Sequence, residues 1–173
     1  MDGMRCFLSE ENITIHKREL ELMRSRLAIY EKSLPEIVGA DLRRIRGMRI
    51  DADYKQKILG LKRYIMLHEV YFSSFSDKVP YPRGVKKYYP SRESLLFQCK
   101  EMMLGAKHGF LCLFKTDGRP KITILTEDSE SLFTAPTLAV DISEHAYFLD
   151  YIFERDRYFT ASLEKLKLNM LFD

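Results

Sequence analysis

Apolar residues in the first half of the chain recur at alternating steps of three and four. Ile13, His16, Leu20, Met23, Leu27 and Tyr30 form one seam, and Ile58, Leu61, Ile65, His68, Phe72 and Phe75 form a second. That spacing keeps each set on one face of a helix. Pro35 and Gly39 are expected to interrupt the first helix, and Gly60 is a tolerated weak point early in the second. The simplest packing is an antiparallel helical hairpin, joined through a connection rich in arginine (Arg43, Arg44, Arg46 and Arg49).

Residues 76–91, SDKVPYPRGVKKYYPS, break this pattern with three prolines, a glycine and several charges. They read as a connecting segment. Ser91 is the expected N-cap of a helix through Met103 that ends near Gly105 or Gly109. The period then changes to two. FLCLF (110–114) and KITIL (121–125) flank TDGRP, whose Asp117-Gly118 step signals a hairpin, and LAV (138–140) is a third short strand. From Glu144 onward the pattern is helical again, with one break expected near Asp156 and Arg157. The predicted fold class is α+β: an N-terminal antiparallel helical hairpin, a helix, a small three-stranded antiparallel sheet and terminal helices. The expected organisation is a helical hairpin domain over 1–78, a linker over 79–90 and an α+β domain over 91–173.

Composition narrows the class without naming a chemistry. With 173 residues, 46% hydrophobic and 31% charged, the chain is an ordinary candidate for a compact globular fold and argues against disorder. No stretch reaches the length of a membrane span, and the opening MDGMRCFLSEEN lacks the apolar core of a signal peptide, so no membrane partner is expected. Cys6, Cys99 and Cys112 are odd in number and show no paired spacing, which disfavours a disulfide framework or a cysteine-built zinc site and fits a reducing cytoplasm. A net charge of +3 allows mild attraction for anions. An arginine run in an interhelical connection is more often a solvated face than a nucleic-acid contact, so nucleic acid is not an expected partner.

Only four histidines are present, and they divide sharply. His108, beside Gly109 at a helix end, reads as a cap for terminal carbonyls. His16 and His68 sit on the apolar seams. His16 falls one turn into the first helix and His68 near the end of the second, so an antiparallel hairpin brings the two imidazoles to the same end. Asp141 and His145 follow the third strand in DISEHAY. Asp141 also suits an N-cap, with Glu144 completing a capping box. A strand end that feeds a helix start nonetheless presents side chains to a site. Three imidazoles and a carboxylate suit a first-row metal, and ligand type alone leaves iron, manganese and zinc open.

The segment APTLAVDISEHAYFLDY (135–151) resembles the signature of the iron/manganese superoxide dismutase family, an aspartate ligand followed by a Glu-His-Ala-Tyr run. HEVYFSSF (68–75) resembles the family segment carrying the second ligand histidine, and LSEENITIH (8–16) the one carrying the first. The resemblance implies His16, His68, Asp141 and His145 as ligands of one iron or manganese ion per chain, with water or hydroxide as a fifth ligand. It implies superoxide as substrate, dismuted to oxygen and hydrogen peroxide by a metal cycling between divalent and trivalent states. It also implies a homodimer in which Glu144 bridges to the partner's ligand histidine.

Around this set the chain departs from the family pattern. Leu20 and Arg24 stand where the family carries a histidine and a tyrosine, Tyr64 where one of its glutamine positions falls, and TEDSES (126–131) has no amide to serve as the other. Phe72, Phe110, Cys112 and Ser143 occupy the places of the family's usual tryptophans around the metal, and Phe148 replaces a tyrosine that would bond the histidine now replaced by Leu20. Tyr64 and Arg24 are the candidates for proton delivery and anion attraction beside the ligands, and Arg155, in FERDRY (153–158), resembles the family's arginine near the substrate channel. The alternative implied by these departures is a metal-binding homologue of the same fold without dismutase activity, in a structural or regulatory role.

Overall fold

A computed structural model describes residues 2–39, 48–79, 82–126, 129 and 134–172. The arginine-rich connection lies outside these residues, apart from the backbone at Met48 and Arg49, and so does most of TEDSES. Helix α1 spans Glu10–Gly39 and α2 spans Met48–Ser73. Ser9 caps α1, its Oγ accepting from the backbone N–H of Asn12 at 3.1 Å, and Glu10 and Glu11 favour the positive end of the helix dipole. The expected interruption at Pro35 does not occur. A proline removes one N–H from the ladder; α1 absorbs that loss and ends at Gly39, a residue of low helix propensity.

Paired contacts run in opposite directions along α1 and α2. His16 meets His68, Glu19 meets Tyr64 and Tyr30 meets Tyr54. The hairpin is therefore antiparallel, as its two seams predict. Phe75, counted in the second seam, lies beyond the end of α2 and forms an isolated bridge with Leu166.

The segment expected as a linker contains a 3-10 turn over Arg83–Lys87, whose Val85 is fully buried. Helix α3 (Arg92–Gly105) follows, capped by Ser91, whose hydroxyl accepts from the N–H of Ser94 at 3.1 Å. Strands β1 (Phe110–Thr116), β2 (Arg119–Leu125) and β3 (Leu138–Asp141) form one antiparallel sheet in the order β2-β1-β3. Asp117 and Gly118 both adopt positive φ, the left-handed geometry of a two-residue hairpin turn that matches strand twist. The register places Phe110 opposite Asp141, so the start of β1 and the end of β3 meet at one sheet corner.

After β3 come a 3-10 turn (Glu144–Ala146), α4 (Phe148–Tyr151), α5 (Arg155–Glu164) and α6 (Asn169–Phe172). The break falls earlier than the sequence suggests. Ile152 at φ 51° ends α4, while Asp156 and Arg157 lie inside the first turn of α5, where an aspartate suits the helix dipole.

Leu95, Cys99 and Met103 of α3, Leu111 and Leu113 of β1 and Phe159 of α5 are fully buried in one core. Burying each large apolar side chain contributes about 1.5–3 kcal/mol, which is what fixes the sheet against the helices. Ser74 ties the hairpin to this core. Its Oγ accepts from Ala139 N–H at 2.9 Å in β3 and donates to Val70 O at 2.7 Å, while its carbonyl accepts from Lys167 N–H at 3.0 Å. This joint sets the last turns of α2 against the end of β3, and with them His68 beside Asp141.

Candidate metal centre

His16 reaches the centre from the second turn of α1, His68 from the penultimate turn of α2, Asp141 from the last residue of β3 and His145 from the 3-10 turn that follows. The structure brings all four together. One Asp141 oxygen, Oδ2, lies 3.3 Å from His16 Nε2, 3.5 Å from His68 Nε2 and 3.1 Å from His145 Nε2. The four candidate donor atoms all lie within 4.8 Å of one another. His16, His68 and Asp141 are buried, whereas the His145 side chain is 37% exposed, so the cluster has one open side.

Asp141 divides its two oxygens between two tasks. Oδ1 accepts from the Ser143 N–H at 2.8 Å, holding the turn that carries His145, and Oδ2 faces the three imidazoles. The capping box read from DISEHAY does not form: Ser143 is the N-cap of the 3-10 turn, and Asp141 instead braces the turn from two residues before it. Behind it, Tyr158 donates its hydroxyl to the Asp141 carbonyl at 2.8 Å, and the Tyr71 hydroxyl lies 3.1 Å from that of Tyr158. Both tyrosines are fully buried.

The tautomer of His68 follows from its other nitrogen. Nδ1 is 2.9 Å from the Tyr64 carbonyl and can only donate there, which leaves Nε2 as a lone pair aimed at the cluster. That Nε2 is buried and has no hydrogen-bond partner. A buried, unpartnered lone pair is unfavourable unless something electrophilic meets it. Burial pushes His68 below the usual imidazole range despite the attraction of Asp141, keeping it neutral. Burial also opposes charge on Asp141, but contacts from His145 and His16 outweigh it and hold this carboxyl well below its usual range. His145 is raised, because its hydrogen bond and attraction to Asp141, with Glu19 adding to them, overcome its burial.

These features fit a metal ion. Donors bound about 2.1 Å from one ion lie about 3.0 Å apart at right angles and about 3.6 Å apart at 120°. The nitrogen–oxygen separations of 3.1, 3.3 and 3.5 Å fall within that span. Three imidazole nitrogens and one carboxylate oxygen are also the donor types that first-row metals take.

The three other candidates are placed very differently. Tyr64 is at the site: its ring centroid is 4.0 Å from that of His68, and its hydroxyl donates to Glu19 Oε1 at 2.9 Å. Arg24 is engaged by Glu21 and by Glu69, the latter at 2.6 Å, and borders a separate cavity with Leu20 and Phe72. Arg155 donates to the carbonyls of Met103 (3.0 Å) and Ala106, and its guanidinium stacks 4.8 Å from the Phe159 ring centroid. It thereby closes the C-terminal end of α3, the role the sequence suggested for His108. Glu144 is exposed, and Phe148, Leu149, Ile152 and Phe153 expose an apolar strip just beyond it.

Beside the exposed face of His145 lies a cavity of about 740 Å³ bordered by Glu19, Arg26, Lys57, Tyr64, His108 and Ser143, among others. Glu19, Arg26 and His108 were not among the residues singled out from sequence for this site. Glu19 had a readable signal, since it stands three residues after His16 and so shares its helical face. Its Oε2 is 3.8 Å from His145 Nε2. His108 reaches the cavity through the loop joining α3 to β1, which no periodicity could locate.

Fold and cluster together define a class: an α+β protein whose described residues bring three imidazoles and one carboxylate into a site suited to a first-row metal ion. Residues 81–171, just over half of the chain, match the family model described as iron/manganese superoxide dismutases, C-terminal domain. The chain belongs to that family. Comparison with curated proteins returns no match. Family membership implies a metal cofactor, superoxide as the substrate and, typically, an oligomeric assembly. Among the described residues, no helix is long and apolar enough to cross a membrane.

Proposed function

We propose that this chain binds one iron or manganese ion through His16, His68, Asp141 and His145 and acts as a superoxide dismutase. The observation that carries this reading is the convergence of three imidazole nitrogens on one buried carboxylate oxygen, 3.1–3.5 Å apart, with the His68 lone pair left without a partner. A metal bound there supplies one-electron chemistry, oxidising one superoxide to oxygen and reducing the next, with two protons, to hydrogen peroxide. The chain's own residues supply orientation, attraction and exclusion of solvent. The Tyr64 carbonyl fixes the His68 tautomer, and Tyr158 holds the Asp141 backbone. Arg26 and Lys57 offer positive charge along the cavity that leads to the open side at His145, drawing in a small anion. The Tyr64 phenol, held by Glu19, is the hydroxyl best placed to pass protons toward the ligand set.

The assembly we propose is a homodimer in which Glu144 reaches the partner's ligand histidine. Its support is the exposed apolar strip from Phe148 to Phe153 beside Glu144. Three free cysteines agree with a reducing compartment, for which the cytoplasm is our reading. We also keep the division into a hairpin domain over 1–78, a linker over 79–90 and an α+β domain over 91–173.

A second reading, a metal-binding homologue without dismutase activity and with a structural or regulatory role, is favoured by Glu19. Its carboxylate puts negative charge beside the open face, where an anionic substrate must arrive. Metal analysis and a superoxide assay on the same purified sample separate the two. Stoichiometric iron or manganese with dismutation supports the first reading, and stoichiometric metal without it selects the second. Loss of both readings follows if the chain retains no metal, or if His145→Ala retains as much as the unsubstituted chain.

A further inference from the structure

We propose that Glu19 is a further carboxylate of the metal centre, placed at its open side and favouring the trivalent over the divalent ion. This rests on the reading of His16, His68, Asp141 and His145 as ligands. One oxygen of Glu19 is hydrogen-bonded and the other faces the cluster. Oε1 accepts from the Tyr64 hydroxyl at 2.9 Å, across from α1 to α2, and Oε2 lies 3.8 Å from His145 Nε2. Tyr64 is itself packed on His68, with ring centroids 4.0 Å apart. The carboxylate is therefore anchored on α2 through Tyr64, which packs on His68, and faces His145 of the 3-10 turn, unlike a surface glutamate free in water.

Its position matters because His145 is the exposed member of the cluster, and Glu19, 31% exposed, borders the same cavity. Asp141 gives the four-residue set one negative charge. Glu19 brings a second within a few ångströms, beside the three imidazoles. An anion at that range stabilises a trivalent ion more than a divalent one, since the interaction scales with the ion's charge. Partial exposure screens the effect without removing it. Carboxylate oxygen also suits the harder ion better than imidazole does. Arg26 and Lys57 border the same cavity but show no contact with the ligand set, so they offset Glu19 only from a distance.

The test is a potentiometric titration of the iron-loaded protein, followed by its absorbance, for the unsubstituted chain and for Glu19→Gln, Glu19→Asp and Tyr64→Phe. Glu19→Gln is expected to shift the preference toward divalent iron by roughly tenfold, an upward change of about 59 mV for a one-electron couple. Glu19→Asp keeps the charge and is expected to stay within about threefold of the unsubstituted chain, or about 28 mV on the same conversion. Tyr64→Phe frees the carboxylate and is expected to move the potential the same way as Glu19→Gln, by less. A Glu19→Gln protein that holds iron at the original potential overturns the role of Glu19 and leaves the four-ligand site standing. An unsubstituted chain that retains neither iron nor manganese overturns both. Circular dichroism checks the fold of each variant, and if Glu19→Gln does not fold, an unshifted potential in Tyr64→Phe overturns the proposal.

Discussion

Removing the Tyr158 hydroxyl is the most informative single change for the scaffold behind the site. Because Tyr158 donates to the Asp141 carbonyl, its oxygen is left to accept from Tyr71, so the chain of donation runs Tyr71 to Tyr158 to Asp141. Tyr158→Phe therefore deletes two hydrogen bonds and strands two polar groups, the Tyr71 hydroxyl and the Asp141 carbonyl, in a core where both side chains are fully buried. A buried group left unpaired costs about 1–3 kcal/mol, so the sum is about 2–4 kcal/mol once some relaxation is allowed. Tyr71→Phe breaks only the first bond and strands nothing that matters, since Tyr158 still donates to Asp141. Its expected cost is about 1 kcal/mol. The double variant should be less destabilised than the two single costs summed, because the Tyr71 hydroxyl that Tyr158→Phe strands is gone. Urea unfolding of the four proteins, read as a double-mutant cycle, measures each term. Equal costs for the two single variants, or strict additivity, would refute the direction of donation and the positioning role of Tyr158.

Saturating the chain with its metal at about a thousand times Kd should stabilise it by about 4 kcal/mol, which for a chain of this length raises Tm by roughly 8–16 °C; calorimetry of His145→Ala should show no such rise. Burial pushes the Cys99 thiol up to about 12 and raises that of Cys112 as well, so both stay thiols and shielded at pH 8. Iodoacetamide should then add once to the folded chain, at exposed Cys6, and three times after unfolding, as read by mass spectrometry. Phe153→Asp, at a side chain 87% exposed, should leave the fold intact while sedimentation shows a dimer becoming a monomer; a monomeric unsubstituted chain would remove the proposed interface.

Much of this was legible in the residues because the relevant periods are strong. The seams of α1 and α2 carry their histidines at fixed helical spacing, and an antiparallel hairpin is the one simple packing that brings His16 to His68. Asp117-Gly118 fixed the β1–β2 register through turn chemistry alone. The misses have local physical causes. Pro35 is a weak stop inside a helix with many other hydrogen bonds to hold it. The break at Ile152 depends on a positive φ in a residue type that rarely adopts one, which no propensity anticipates. Arg24 lies two turns beyond His16, yet Glu21 and Glu69 draw its side chain to the outer face. Arg155 is taken by carbonyls at the end of α3, a partnership set by tertiary packing between α3 and α5. Glu19 stood in plain view on the His16 face, and a face-by-face reading of α1 would have found it.

The hairpin meets the sheet through a shared apolar core that includes Leu67 and Tyr71, through the Ser74 hydrogen bonds and through the cluster around Asp141. An ion held by these four residues would therefore be a removable rivet between α1, α2 and the β3 corner. It would close long stretches of chain at once, the kind of link that restrains an unfolded chain most. Chelation would then do more than silence a site. It would loosen the joint between the two halves, and amide exchange should quicken first along the facing turns of α1 and α2.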